Sequence, residues 1–106
     1  PEVAFHFKND SASYISGLDV FEHLWEPEQF LKECLRILKP AGQLFLMMPF
    51  GDELLPESRF FAPAEHVYLH SRRHMRIIIT DAGFDRINFD KWALGHDTVS
   101  ARKPGD

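Results

Sequence analysis

Residues 12–50 read ASYISGLDVFEHLWEPEQFLKECLRILKPAGQLFLMMPF, and three patterns follow one another within them. Residues 12–18 (ASYISGL) are short, partly β-branched and aromatic, which predicts a strand running into a turn near Gly17. Pro27 suits the first position of a helix, and Phe30, Leu31, Cys34, Leu35 and Leu38 recur at helical spacing behind it. Glu28, Lys32, Glu33, Arg36 and Lys39 fill the opposite face, and the pattern predicts a helix that runs on to Pro40 and Gly42. Residues 43–48 (QLFLMM) form an unbroken apolar run of strand length, the pattern of a strand buried on both faces. Strand, helix and strand make a right-handed βαβ unit, which puts the chain in the α/β class.

Outward from this unit the signals change. Pro49, Pro56 and Pro63, with polar residues between them, argue against a regular element over residues 50–70, and a connection of that length reads as a lid or substrate loop. Ser71 can cap a second helix, whose Met75, Ile78, Ile79 and Ala82 keep helical spacing until Gly83 stops it. Residues 85–93 alternate through Ile87 and Phe89, Gly95 marks a turn, and residues 97–103 supply a last strand antiparallel to its neighbour.

Composition narrows the classes of function. The 106 residues suit a single domain, 1–106, and 44% of them are hydrophobic, enough for a core. A net charge of −4, with both signs interspersed, offers no basic stripe to phosphates, so nucleic acid is disfavoured as a partner. No membrane span or signal sequence is expected, and the single cysteine, Cys34, allows no internal disulfide; both point to a cytoplasmic protein.

The run LDVFEHLWEPEQFLKECLRILKPAGQLFLMMPF (18–50) resembles the middle of class I S-adenosylmethionine-dependent methyltransferases. That family shows a strand, an acidic residue, Glu-His, a helix, Leu-Lys-Pro-Gly-Gly and a strand ending in proline. EHVYLHSRRHMRIIITDAGFD (65–85) resembles the family's next helix, which ends in Gly-Phe. The resemblance covers about residues 12–103 and implies the C-terminal half of the Rossmann-like domain. On it, this chain supplies the fourth to seventh strands of the sheet, the last one antiparallel, with flanking helices. It departs from the family at Ser13, where many members carry aspartate, and at Ala41, where the first glycine of a pair stands.

The same resemblance implies S-adenosylmethionine as cofactor and places Ser16, Gly17, Leu18 and Asp19 along its pocket, Gly17 leaving room for a close backbone approach. The family's glycine-rich turn and acidic strand end, which hold the cofactor's other parts, have no counterpart here: glycines 17, 42, 51, 83, 95 and 105 contain no G-x-G. The expectation is a methyltransferase piece that needs the N-terminal half of the fold as partner and is inactive alone. Its acceptor would be an oxygen, nitrogen or carbon nucleophile of a small molecule. Two other readings stand beside it: a non-catalytic interaction module whose exposed edge strand pairs with another chain, or with a second copy of this one, and an RNA methyltransferase.

Methyl transfer needs alignment of nucleophile and methyl group, with a base or a metal for poorly acidic acceptors. A helix beginning early would set Asp19, Glu22 and His23 on one face, with Glu22 and His23 as catalytic candidates and His66 and His70 on the substrate side. Asp19, Glu22, His23 and His66 are similar to the set that holds a divalent cation in ubiquinone-pathway O-methyltransferases and small-RNA 2′-O-methyltransferases, which implies Mg²⁺ or Mn²⁺. Against that, Glu-His also occurs in family members that need no metal. His74 and His96 read as structural or exposed, Trp25 as core, Arg72, Arg73 and Arg76 as a solvated face, and Cys34 as core.

Overall fold

A computed structural model describes residues 6–51, 59–63, 66–93 and 96–105. Strand β1 (Ala12–Leu18) leads through a 3-10 turn at Phe21–His23 to helix α1 (Pro27–Ile37) and strand β2 (Leu38–Pro49). Strands β3 (Arg59–Ala62) and β4 (Val67–His70) precede helix α2 (Arg72–Ala82), and β5 (Asp85–Ala93) and β6 (His96–Arg102) follow it. Four strands form one sheet in the order β1-β2-β6-β5; β1 is parallel to β2, and β6 is antiparallel to both β2 and β5. The α/β class and the antiparallel last strand are as the sequence predicts.

Helix α1 starts with Pro27 at its first turn, but it ends three residues before Pro40 rather than at it. Leu38 is already extended, with ψ 142°. The residue before a proline is pushed out of the helical region, and here the change comes one residue earlier still. The chain then bulges between the pairs Ala12↔Leu38 and Tyr14↔Gln43, and Ala41 sits in the left-handed region at φ 67°. Ala41 therefore holds a conformation that favours glycine. Its amide donates to the Lys103 carbonyl at 2.9 Å, and the Lys103 amide donates to the Gly42 carbonyl at 2.9 Å, so the bulge is pinned by the chain after β6. Replacing Ala41 by glycine should remove left-handed strain at some cost in unfolded-chain entropy, a net gain of about 0.5–1 kcal/mol. Urea midpoints of the two proteins check this; an unchanged or lower midpoint for Ala41→Gly would contradict it.

Strand β2 is buried on one face rather than two. Leu44, Leu46 and Met48 are buried, while Phe45 and Met47 are only half-buried. The three buried residues share one cluster with Phe30, Leu31 and Cys34 of α1 and with Met75, Ile78 and Ile79 of α2, so both helices serve the same face. An apolar run conceals this, because both of its faces are apolar in sequence.

Helix α2 is capped as its sequence implies. The Ser71 side chain accepts from the His74 amide at 3.0 Å, and Gly83 closes the other end at φ 113°. The Gly83 amide donates to the Thr80 carbonyl and the Phe84 amide to the Ile79 carbonyl, the double closure of a Schellman end. Residues 50–70 depart from expectation. Within them β3 and β4 pair as an antiparallel hairpin, with Arg59 opposite His70 and Phe61 opposite Tyr68. Pro49 ends β2 and Pro63 lies in the hairpin's turn, so neither removes a ladder donor from β3 or β4; Pro56 lies outside the described residues, and so does Gly95.

Candidate active site

The carboxyl ends of β1 and β2 lie side by side, Leu18 opposite Met47. One residue further the Asp19 amide still donates to the Met47 carbonyl at 2.9 Å, but Asp19 itself turns left-handed at φ 57°. Aspartate tolerates that region better than most residues. Because β6 runs antiparallel, it begins where β2 ends, and Pro49 pairs with His96. The result is a close contact between His96 Nε2 and Asp19 Oδ1 at 2.8 Å.

Next to this pair, the 3-10 turn separates Glu22 from His23. Glu22 is 4% exposed, and its Oε1 has no hydrogen-bond partner among the described residues. Burial raises its pKa above the ordinary carboxylate value and the nearby Asp19 charge adds to that; its own backbone amide, His23 and His96 pull the other way. His23 is exposed. Asp19, Glu22 and His23 therefore do not share a helical face, since Asp19 precedes the turn in a left-handed conformation and the next residues follow a tighter, 3-10 path. His66 is exposed on the hairpin's turn, and His70 is fully buried beneath it. Among the described residues no group of three or more His, Cys, Asp or Glu side chains converges to hold a metal ion, so the structure does not bring Asp19, Glu22, His23 and His66 together.

Ser16, Gly17 and Leu18 end β1, and Asp19 lies just beyond it. Ser16, Leu18 and Asp19 are exposed, with Leu18 54% accessible. A Cβ built on Gly17 would lie 3.1 Å from Leu46 Cδ2, so the missing side chain makes room for the core. Leu18 and Val20, on either side of Asp19 in the chain, are exposed apolar residues.

Several outer residues also differ from expectation. Trp25 is exposed rather than core. Arg72 is ion-paired with Asp97 and lies 4.9 Å over the Phe50 ring, and Arg76 lies 5.1 Å over Phe89, so these arginines bind the helix to the sheet's end instead of facing solvent alone. Cys34 is buried, as expected, and burial pushes its thiol pKa up to about 12. His96 is the site residue that sequence reading passed over. Its signal was topological: an antiparallel last strand must start at the edge where the parallel strands finish.

A family model for a methyltransferase domain matches residues 2–88. The chain belongs to the methyltransferase domain family. A protein of Mycobacterium tuberculosis H37Rv named as an S-adenosylmethionine-dependent methyltransferase is 27% identical over 74 residues, which is 70% of this chain and 27% of that protein. A protein of Aspergillus flavus named as the cytochrome P450 monooxygenase dtpC is 38% identical over 54 residues, 50% of this chain and 30% of that one. The name describes that protein; the match to the methyltransferase domain spans far more of this chain. In structure, the methyltransferase bound to the Trm112 activator of Haloferax volcanii superposes with a TM-score of 0.79 at 18% identity, over 95% of this chain and 58% of that one. That likeness shows the shared fold. This methyltransferase domain chain spans less than a third of the two curated relatives and a little over half of the solved structure. No helix among its described residues is long and apolar enough to cross a membrane.

Proposed function

We propose that the chain forms the substrate-facing half of an S-adenosylmethionine-dependent methyltransferase acting on an oxygen, nitrogen or carbon nucleophile of a small molecule. The observation that carries the reading is the turn at Asp19, which follows the paired ends of β1 and β2 and sets an acid–imidazole pair beside a buried carboxyl group. Ligands of open α/β sheets bind at such strand ends. When bound, S-adenosylmethionine supplies a methyl group made electrophilic by its sulfonium. The protein's part is alignment: Leu18 and Val20 seat apolar surface, Asp19 accepts hydrogen bonds, and the Glu22 carboxyl, its pKa raised by burial, lies beside them. His23 and His66, both exposed, are left to meet the acceptor.

On this reading the four-stranded sheet is the family's fourth to seventh strands, and the remaining strands add to β1. Support comes from β1 itself. It is an edge in the described sheet, Tyr14 is 55% exposed, and a groove of about 310 Å³ runs past Phe7, Ala12, Tyr14, Ile15 and Ile37. The same edge favours a second reading, an interaction module that offers β1 to another chain. Calorimetric titration of S-adenosylmethionine and S-adenosylhomocysteine separates them. The 106-residue chain should give no saturable heat, and a polypeptide that adds a glycine-rich βαβ half should bind both. Saturation by the chain alone would overturn the half-site reading; no binding even with the added half would favour the interaction module.

A further inference from the structure

His70 ends β4 and precedes the cap of α2, and it is completely buried. Among the described residues neither of its ring nitrogens has a hydrogen-bond partner, and Nε2 of His74, one turn into α2, is buried and likewise without one. The two imidazoles stack at 5.5 Å with 15° between their planes, and the Phe21 ring meets His70 edge-on at 5.1 Å. The His70 backbone is tied as well: its carbonyl accepts from the Gly51 amide at 3.0 Å, and it pairs across the hairpin with Arg59. One residue therefore joins the hairpin, the end of β2, α2 and the turn that carries Glu22.

Unpartnered buried imidazoles are costly to keep and costlier to charge. We propose that the stacked His70–His74 pair is an acid-sensitive latch that holds the β3–β4 hairpin against α2 and the 21–23 turn, and lets it go when protonated. Among the described residues, the charged groups that act on the pair are Arg59 on β3 and Glu28 on α1. Arg59 opposes a proton on either ring, whereas Glu28 eases one onto His74, so His70 is the sensitive member. Burial, then His74 and Arg59, depress the His70 pKa from 6.5 to about 3. A depressed imidazole stabilises the closed form fully above pH 6.5 and loses that contribution as pH falls toward 3. From His70 alone, the hairpin's opening constant should rise about 30-fold between pH 7.5 and pH 5. That the opening bares an acceptor site rests on the methyltransferase reading; the latch itself is measurable without any cofactor.

The test is amide hydrogen exchange on the 106-residue chain at pH 7.5 and 5, each rate divided by its unstructured-peptide value. The hairpin amides should open about 30-fold more at pH 5 while those of β2 and β6 change far less, and His70→Phe should erase the difference. His70→Gln, neutral and of similar length, serves if the phenylalanine variant does not fold. Equal acceleration in the hairpin and in β2 would mean global acid unfolding and overturn the latch. So would a hairpin insensitive to pH, or an unchanged response in the His70 variant.

Discussion

Replacing Phe21 by alanine is expected to cost about 3–5 kcal/mol, a large part of what holds a small domain together. Phe21 is completely buried, meets the Phe30 ring of α1 at 5.9 Å and 77°, and meets His70 of β4 at 5.1 Å. Edge-to-face pairs of this kind add to the area term. Truncation therefore opens a void where α1, the hairpin and the sheet's end meet, and no single element can collapse into it. Denaturant unfolding gives the magnitude, and a loss below about 2 kcal/mol would show that the hairpin repacks over the gap. The site should suffer before the fold does, because Glu22 is buried only while Phe21 anchors its turn.

Gly83→Val is expected to cost about 2–4 kcal/mol, by two routes that act together. At φ 113° the backbone occupies a region that a β-branched residue scarcely visits. Even a bare Cβ would lie 2.8 Å from Leu35 Cδ2 on α1. The substitution thus breaks the end of α2 and displaces the Leu35 side chain at the same point. Thermal melts of Gly83→Ala and Gly83→Val should fall in that order; a valine variant that melts with the unaltered protein would show that α2 ends without its left-handed residue.

What the sequence displayed openly was whatever depends on neighbours a few residues away. Pro27, Ser71 and Gly83 mark helix ends by local hydrogen bonding, and all three stand where such signals put them. The burial of Cys34, Met75, Ile78 and Ile79 follows from helical spacing alone. Concealed features depend on partners distant along the chain. The end of α1 at Ile37 is set by the bulge that Lys103 pins, more than sixty residues later. The hairpin's strands are four residues each, too short for alternation to speak against three prolines. At the site, Asp19 is visible as a polar residue after a strand, but its partner His96 comes from the last strand, more than seventy residues later. A regular helix would put Glu22 and His23 on one face with Asp19, whereas the tighter 3-10 path sends Glu22 inward and His23 out.

The strand order has a bearing on how this stretch is made. Strand β6 follows every other strand in sequence, yet it lies inside the sheet between β2 and β5. During vectorial synthesis β2 must therefore wait, with Leu44 to Met48 unpaired along one side, until residues 96–102 have left the ribosome. Such an edge is the kind that neighbouring nascent chains add to. The cell must shelter an apolar ribbon for the whole interval in which the hairpin, α2 and β5 are translated.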